Sequence, residues 1–153
     1  MKKIHSIIVI ILFLSINNLS AQPHFFHKNR EKIKAKKLEF IKEKLQLTAK
    51  EEKAFLPVYK EYETKRENLY MKKREIMMRY RKNFLNLSDA EITKMSDSFI
   101  EIDYQMALIG KEYHEKFKKV IQVRKVLVLY KSEFEFKKQL IRKMKRKHRK
   151  FDK

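Results

Sequence analysis

The sequence predicts an all-α fold of four long helices, and three observations support that prediction. The 153 residues contain one glycine and two prolines, which is too few turn residues for a fold rich in strands and loops. Lysine, glutamate, arginine, leucine, isoleucine and methionine, which favour helices, are abundant. Apolar residues recur every three or four positions along most of the chain, as on the buried side of a helix.

Residues 1–21 have the pattern of a secretory signal peptide. Lys2 and Lys3 precede an apolar run at 7–16, and Ala21 offers a small residue at the cleavage point. The run is shorter than the ~20 residues of a membrane-spanning helix, and an uncleaved anchor is the alternative. We therefore expect an exported protein with no nucleic acid as partner, although the net charge of +20 alone would suggest one.

The exported chain is expected to form one domain. We expect a flexible segment at 22–30, a helical domain at 31–147 and a basic tail at 148–153. His24 and His27 lie three residues apart, so on a helix they would share one face and bind zinc or copper. Two ligands are too few for a tight site, so the alternative is a tail without metal, and no other cofactor is expected.

The first two helices are expected at 29–45 and 49–84, separated by a helix cap. Thr48 is a suitable N-cap, and Glu51 stands where a capping-box carboxylate returns to the Thr48 N–H. Pro57 lies inside the second helix and is expected to kink it, because proline cannot donate the backbone bond. The apolar seam of this helix recurs every seven residues, at Phe55, Tyr62, Leu69 and Ile76.

The third helix, expected at 89–120, follows a second capping box that opens at Ser88 and has the most regular apolar pattern. Its Gly110 costs roughly 1 kcal/mol relative to alanine, which suggests the close approach of another helix. No cap marks the join near Gln122, so a separate fourth helix at 123–147 and one continuous helix are both compatible with the sequence. The fourth helix is expected to place these apolar residues on one side: Val126, Leu127, Tyr130, Phe134, Ile141 and Met144.

The stretch around Thr48 also carries a family resemblance. Leu47, Thr48 and Glu51 resemble the LTxxQ signature of the Spy/CpxP superfamily of periplasmic proteins, with glutamate in place of glutamine. The residues that follow resemble a branch described as stress or heavy-metal sensors: Phe55, Pro57, Tyr59 and Tyr62. The resemblance covers about residues 33–144. It implies a periplasmic protein whose four helices form an elongated, curved, hairpin-like arrangement, paired as an antiparallel homodimeric cradle that binds unfolded clients without ATP.

No motif in the sequence indicates an enzyme, since it lacks cysteine, a glycine-rich phosphate loop and an HExxH zinc motif. The second helix instead suggests a surface that binds non-native or acidic polypeptides. Positive charge attracts acidic segments, and methionine and tyrosine adapt to varied apolar surfaces. Apolar contacts are expected from Phe55, Tyr59, Tyr62, Met71, Met77 and Met78. Charge steering is expected from Lys65, Arg66, Lys72, Arg74, Arg79 and Arg81.

Two other functions are compatible with the sequence. Some members of the Spy/CpxP superfamily modulate an envelope sensor kinase in the envelope stress response. The resemblance therefore also implies, as an alternative, a stress- or metal-responsive regulator that docks an acidic partner domain. The basic run at 143–150 also suits an anionic membrane surface, because each lysine or arginine near such a surface contributes about 1 kcal/mol.

Overall fold

The computed structural model describes the backbone of residues 23–151 and the side chains of residues 29–146. Within that part of the chain there are four α-helices, α1 (Pro23–Leu45), α2 (Ala49–Asn83), α3 (Asp89–Val120) and α4 (Val123–Phe151). A turn of 3₁₀-helix, Phe84–Asn86, follows α2. The all-α prediction is confirmed for these residues, and none of the helices described combines the length and hydropathy needed to cross a bilayer. The predicted signal peptide at 1–21 lies outside the described residues.

The helix boundaries agree closely with the sequence for α2, α3 and α4, which begin at the predicted residues. In contrast, α1 begins earlier than expected, at Pro23. Proline suits the first position of a helix because its missing N–H would be unpaired there and its fixed φ is already helical. The last helix continues to Phe151, beyond the expected end at 147.

Both predicted capping boxes are confirmed. The Thr48 hydroxyl accepts from the Glu51 N–H at 3.2 Å, and Glu51 Oε2 accepts from the Thr48 N–H at 3.0 Å. Ser88 and Glu91 exchange the same two bonds at the start of α3, at 3.4 and 3.0 Å. Each box satisfies N–H groups that have no partner within the helix, which is why short sequence signals fix these two boundaries.

A break between α3 and α4 resolves the question that the sequence left open. Ile121 has an extended backbone, its side chain is buried, and its N–H donates to the Phe117 carbonyl at 3.0 Å. The Gln122 carbonyl then accepts from the Lys125 N–H at 2.8 Å and starts α4. A β-branched side chain tolerates the extended conformation well, so a buried isoleucine takes the place of glycine or proline at this turn.

The chain from Glu39 onward forms one compact unit. An aromatic cluster between α2 and α3 holds this unit together. The Phe55 ring lies 5.7 Å from that of Phe117, and the Tyr62 ring lies 5.4 Å from those of Tyr113 and Phe117. Tilted and edge-on aromatic pairs at such distances add about 0.5–1.5 kcal/mol each beyond the apolar area that they bury. Three pairs, Tyr62 with Tyr113, Lys73 with Asp103 and Arg79 with Glu91, show that the two helices run in opposite directions.

The fourth helix packs through one narrow side. Val126, Leu129 and Ser132 are buried, and the Ser132 hydroxyl donates to the Val128 carbonyl at 2.7 Å. Leu127 and Phe134 are exposed and lie about 100° and 80° around the helix from Val126, so the prediction that they share its side is wrong. Ile141 and Met144 are also exposed, although Met144 lies about five full turns beyond Val126 on the same side. Adjacent residues of a helix point about 100° apart, so Val126 and Leu127 cannot both face one narrow contact.

An ion pair joins the beginning of α2 to the beginning of α4. Lys125 Nζ lies 2.7 Å from Glu51 Oε2 and also donates to the Gln46 carbonyl at 2.9 Å. Gln46 has a φ of 45°, the left-handed conformation that commonly ends a helix. The bond from Lys125, with that from the Thr48 N–H, lowers the pKa of Glu51 to about 2. Glu51 therefore serves the cap of α2 and its connection to α4 with one carboxylate.

The glycine of α3 has no packing role of the kind that the sequence suggested. A Cβ built on Gly110 would meet no heavy atom within 4 Å, apart from its own neighbourhood in the helix. The expected close approach of another helix at Gly110 is therefore wrong, and nothing in the structure explains the glycine.

Candidate polypeptide-binding surface

The predicted apolar contact residues fall into two groups. Phe55, Tyr59 and Tyr62 are buried within the chain's own core. Met71 is half-buried, and Met77 and Met78 are exposed by 44% and 43%. The three aromatic residues follow the seam that meets α3, and this contact covers them. They therefore form no part of the surface described below.

Tyr59 is held in the core by a specific polar contact. Its hydroxyl donates to Glu133 Oε1 on α4 at 3.1 Å. Burial, reinforced by the nearby Glu63 and Glu133 carboxylates, raises the pKa of Tyr59. The phenol therefore stays protonated at neutral pH and acts as a hydrogen-bond donor that connects α2 with α4.

The first two predicted steering residues, Lys65 and Arg66, are engaged in the fold. Arg66 Nη1 donates to the Tyr62 hydroxyl at 2.6 Å, and the same atom lies 3.6 Å from Glu133 Oε2. Lys65 Nζ lies 3.3 Å from Glu61 and 5.1 Å from the Tyr113 ring centre. Both cations therefore stabilise packing around the aromatic cluster, and neither is a free steering charge.

The remaining four predicted steering residues are exposed. Lys72, Arg74 and Arg81 have no ion pair with any of the described side chains. Arg79 lies 3.1 Å from Glu91, but both side chains are largely in water, where such a pair is weak. Residues 65–81, which we call the cationic segment of α2, hold seven basic and two acidic residues. The structure thus brings Met77 and Met78 together with a dense positive charge.

A groove lies between the cationic segment and the facing part of α3. Its volume is about 720 Å³, and its apolar floor includes Ile76, Met95 and Ile102. Charged side chains on both helices form the rest of the lining, and two of them, Lys72 and Arg79, were predicted as steering residues. Lys72, Glu75, Arg79, Glu91, Lys94 and Glu101 are the charged residues of the lining. The groove can accept a short apolar segment with charges at its edges.

Several exposed apolar residues were missed at the sequence level. On α3, Ile100 and Tyr104 are exposed by 64% and 58%, with Leu108 one turn further. They form a second stripe on the side of α3 that faces away from α2. The spacing of four residues between Ile100, Tyr104 and Leu108 is visible in the sequence, but the predicted apolar seam of α3 lies on its other side. At the end of α2, Phe84 and Leu85 are also exposed.

The described side chains provide no evidence for a metal site. No group of three or more histidines and carboxylates among them could hold a metal ion. His24 and His27 belong to α1, but their side chains lie outside the described residues. His114 lies on α3, where its Nδ1 is 2.9 Å from the Tyr130 hydroxyl of α4, so it connects these two helices.

Comparisons with protein families, with curated proteins and with solved structures find no match to this chain.

Proposed function

We propose that this chain is a periplasmic, ATP-independent chaperone-like protein, related to the Spy/CpxP superfamily, that binds non-native polypeptides through the cationic segment of α2. The observation that carries the proposal is the exposure of Met77 and Met78 beside cations that pair with no described carboxylate. Methionine is flexible and polarisable, so it accommodates varied apolar partners. A buried structural role would not leave two adjacent methionines in water.

The mechanism follows from the two kinds of residue. Lys72, Arg74 and Arg81 attract acidic stretches of an unfolded chain and raise the rate of encounter. Met77 and Met78 then cover client apolar surface, which contributes ~25 cal/mol per Å². Because only a few side chains take part, each contact is weak, and the client can release and fold.

The proposal includes an antiparallel homodimer in the form of a curved cradle. The exposed stripe of Ile100, Tyr104 and Leu108 supports it, because a second copy would cover apolar side chains that this chain leaves in water. Sedimentation equilibrium of the mature protein measures the assembly directly. A monomer at all concentrations would remove the dimer from the proposal and leave the client surface untouched.

The test of function is suppression of aggregation. A chemically unfolded client is diluted into buffer with and without the mature protein, and light scattering is followed. We expect suppression by the wild-type protein and a clear loss in the Met77→Ser/Met78→Ser variant. The matched control is Leu127→Ser/Phe134→Ser, which removes exposed apolar side chains from α4 and should suppress aggregation as well as wild type.

Two results would contradict the proposal. No suppression by the wild-type protein would remove the chaperone function altogether. Equal losses in the two double variants would show that any exposed apolar side chain serves, and that the cationic segment is not the site.

A stress- or metal-responsive regulator is the second candidate, and the groove between α2 and α3 favours it. A groove of about 720 Å³, lined by three cations and three carboxylates around an apolar floor, suits one defined segment of a partner domain. The exposed cations Lys72, Arg74 and Arg81 of the cationic segment of α2 would attract an acidic domain to it. Co-purification of one stoichiometric envelope partner, together with poor activity on unrelated clients, would support regulation. Affinity that depends on zinc or copper and is lost in His24→Ala/His27→Ala would support the metal-responsive form.

A further inference from the structure

The fourth helix has a second apolar face that its own fold does not use. Leu127 and Phe134 are exposed by 73% and 68%, while Val126 and Leu129 are buried. Around a helix, positions 123, 127, 134 and 141 lie within about 40° of one another. Val123, Leu127, Phe134 and Ile141, all exposed, therefore form one continuous row, which we call the α4 stripe.

Positive charge follows the α4 stripe on both sides. Helical spacing places Lys131, Lys138 and Arg142 along one edge and Lys137 along the other. The whole helix contains twelve lysines and arginines and two glutamates. Glu133 is bonded to Tyr59, and Glu135 offsets only Lys131, at 3.9 Å in a weak exposed pair. Lys137, Lys138 and Arg142 have no ion pair with any of the described side chains.

We propose that α4 binds an anionic lipid bilayer surface, with the α4 stripe in the interface and the flanking cations on the headgroup phosphates. An amphipathic helix with lysines beside its apolar residues lies in the plane of such a surface. Lysine stems extend toward the headgroups while the stripe enters the acyl boundary. The proposed contact is peripheral, with α4 lying along the surface.

The charges favour a bilayer over a second copy of this chain. Two α4 stripes face to face would bring two rows of lysine and arginine together, and opposed like charges cost several kcal/mol. A bilayer has apolar and anionic groups along the entire length of the stripe, about 27 Å for residues 123–141. An acidic polypeptide would need a groove of its own to cover a convex helix of this length.

The chain contains no tryptophan, so one introduced tryptophan reports a single position. We would compare Phe134→Trp on the α4 stripe with Leu85→Trp in the exposed turn after α2. Each full-length variant is mixed with vesicles of phosphatidylcholine alone or of equimolar phosphatidylcholine and phosphatidylglycerol. We expect a blue shift of the fluorescence for tryptophan at 134 with the anionic vesicles only, reversed by high salt, and no shift for tryptophan at 85.

Vesicle sedimentation then measures the affinity. Leu127→Ser/Phe134→Ser should lower the partition coefficient by about tenfold or more, since both apolar anchors are lost. Phe84→Ser/Leu85→Ser, which removes comparably exposed apolar side chains from the turn after α2, should change it less than about twofold. Lys138→Glu/Arg142→Glu should abolish the preference for anionic vesicles, and Lys50→Glu/Lys53→Glu, with the same change in net charge, should retain it.

Four outcomes would overturn the proposal. If the fluorescence of tryptophan at 134 shifted to the blue with rising protein concentration in the absence of vesicles, α4 would bind a second copy of the chain. A shift with poly-glutamate but not with anionic vesicles would identify an acidic polypeptide as the occupant. Equal losses in the Phe84/Leu85 and Leu127/Phe134 variants, or in the two charge-reversal variants, would show that binding is not specific to α4.

Discussion

Replacing Phe55 with alanine tests whether this residue belongs to the core, where the structure places it, or to a client-binding surface, as predicted from the sequence. Phe55 has no exposed surface, and its ring lies 5.2 Å from Tyr59 and 5.7 Å from Phe117. An aromatic side chain that buries about 150–250 Å² at ~25 cal/mol per Å² contributes about 4–6 kcal/mol. Measured substitutions of buried phenylalanine by alanine cost about 3–5 kcal/mol, which agrees with this range.

Urea unfolding followed by far-UV circular dichroism measures the effect. The matched control is Phe134→Ala, which removes the same side chain from an exposed position and should change the free energy of unfolding by less than about 0.5 kcal/mol. A loss of 3–5 kcal/mol is a large part of the ~5–15 kcal/mol that stabilises a domain, so Phe55→Leu serves as a milder variant. Equal losses for the two alanine variants would refute the assignment of Phe55 to the core.

Three further predictions concern the electrostatics and the helices. The pKa of Glu51 is lowered from 4.5 to about 2, so its contribution to stability is present above about pH 4.5 and is lost as the pH falls toward 2. The difference in unfolding free energy between wild type and Glu51→Gln should therefore shrink over that pH range in urea titrations, and a constant difference would contradict the role of the Lys125 contact. Gly110→Ala should raise the unfolding free energy by about 1 kcal/mol, because space is open around Gly110 and alanine favours the helix. A lower thermal midpoint for Gly110→Ala than for wild type would show that the added methyl group clashes with a neighbour. Thr48→Ala should lower the unfolding free energy by about 1 kcal/mol through loss of the cap, and a change near zero in the same urea titration would mean that the hydroxyl bond to Glu51 is redundant.

Local signals in the sequence predicted the helix boundaries well. Each capping box depends on residues three positions apart, so Thr48 and Ser88 could be read without knowledge of the fold. The break at Ile121 could not, because no cap, glycine or proline marks it and only the fold shows that the Ile121 side chain is buried.

The exposed surface could be predicted only in part, because burial depends on how the helices pack. Tyr59 and Tyr62 share a helix with Met77 and Met78, but only the first two lie opposite the aromatic residues of α3. Composition indicates that tyrosine, methionine and cations are interleaved, whereas the partner helix decides which of them reach water. The two apolar faces of α4 were merged for a related reason, since apolar residues at adjacent positions give no clear period.

The contact of Lys125 with Glu51 and Gln46 has a consequence for local unfolding. It crosslinks two chain turns, so we infer that the backbone amides near Gln46 and Gln122 exchange with solvent through one shared opening. Near Ser88, the ion pair that joins α2 to α3 among the described side chains is the exposed one of Arg79 and Glu91, so we infer that this end opens more readily than the other. The cationic segment of α2, which we propose as the binding surface, lies close to that weaker end, so it could adapt to irregular ligands while the aromatic cluster stays closed.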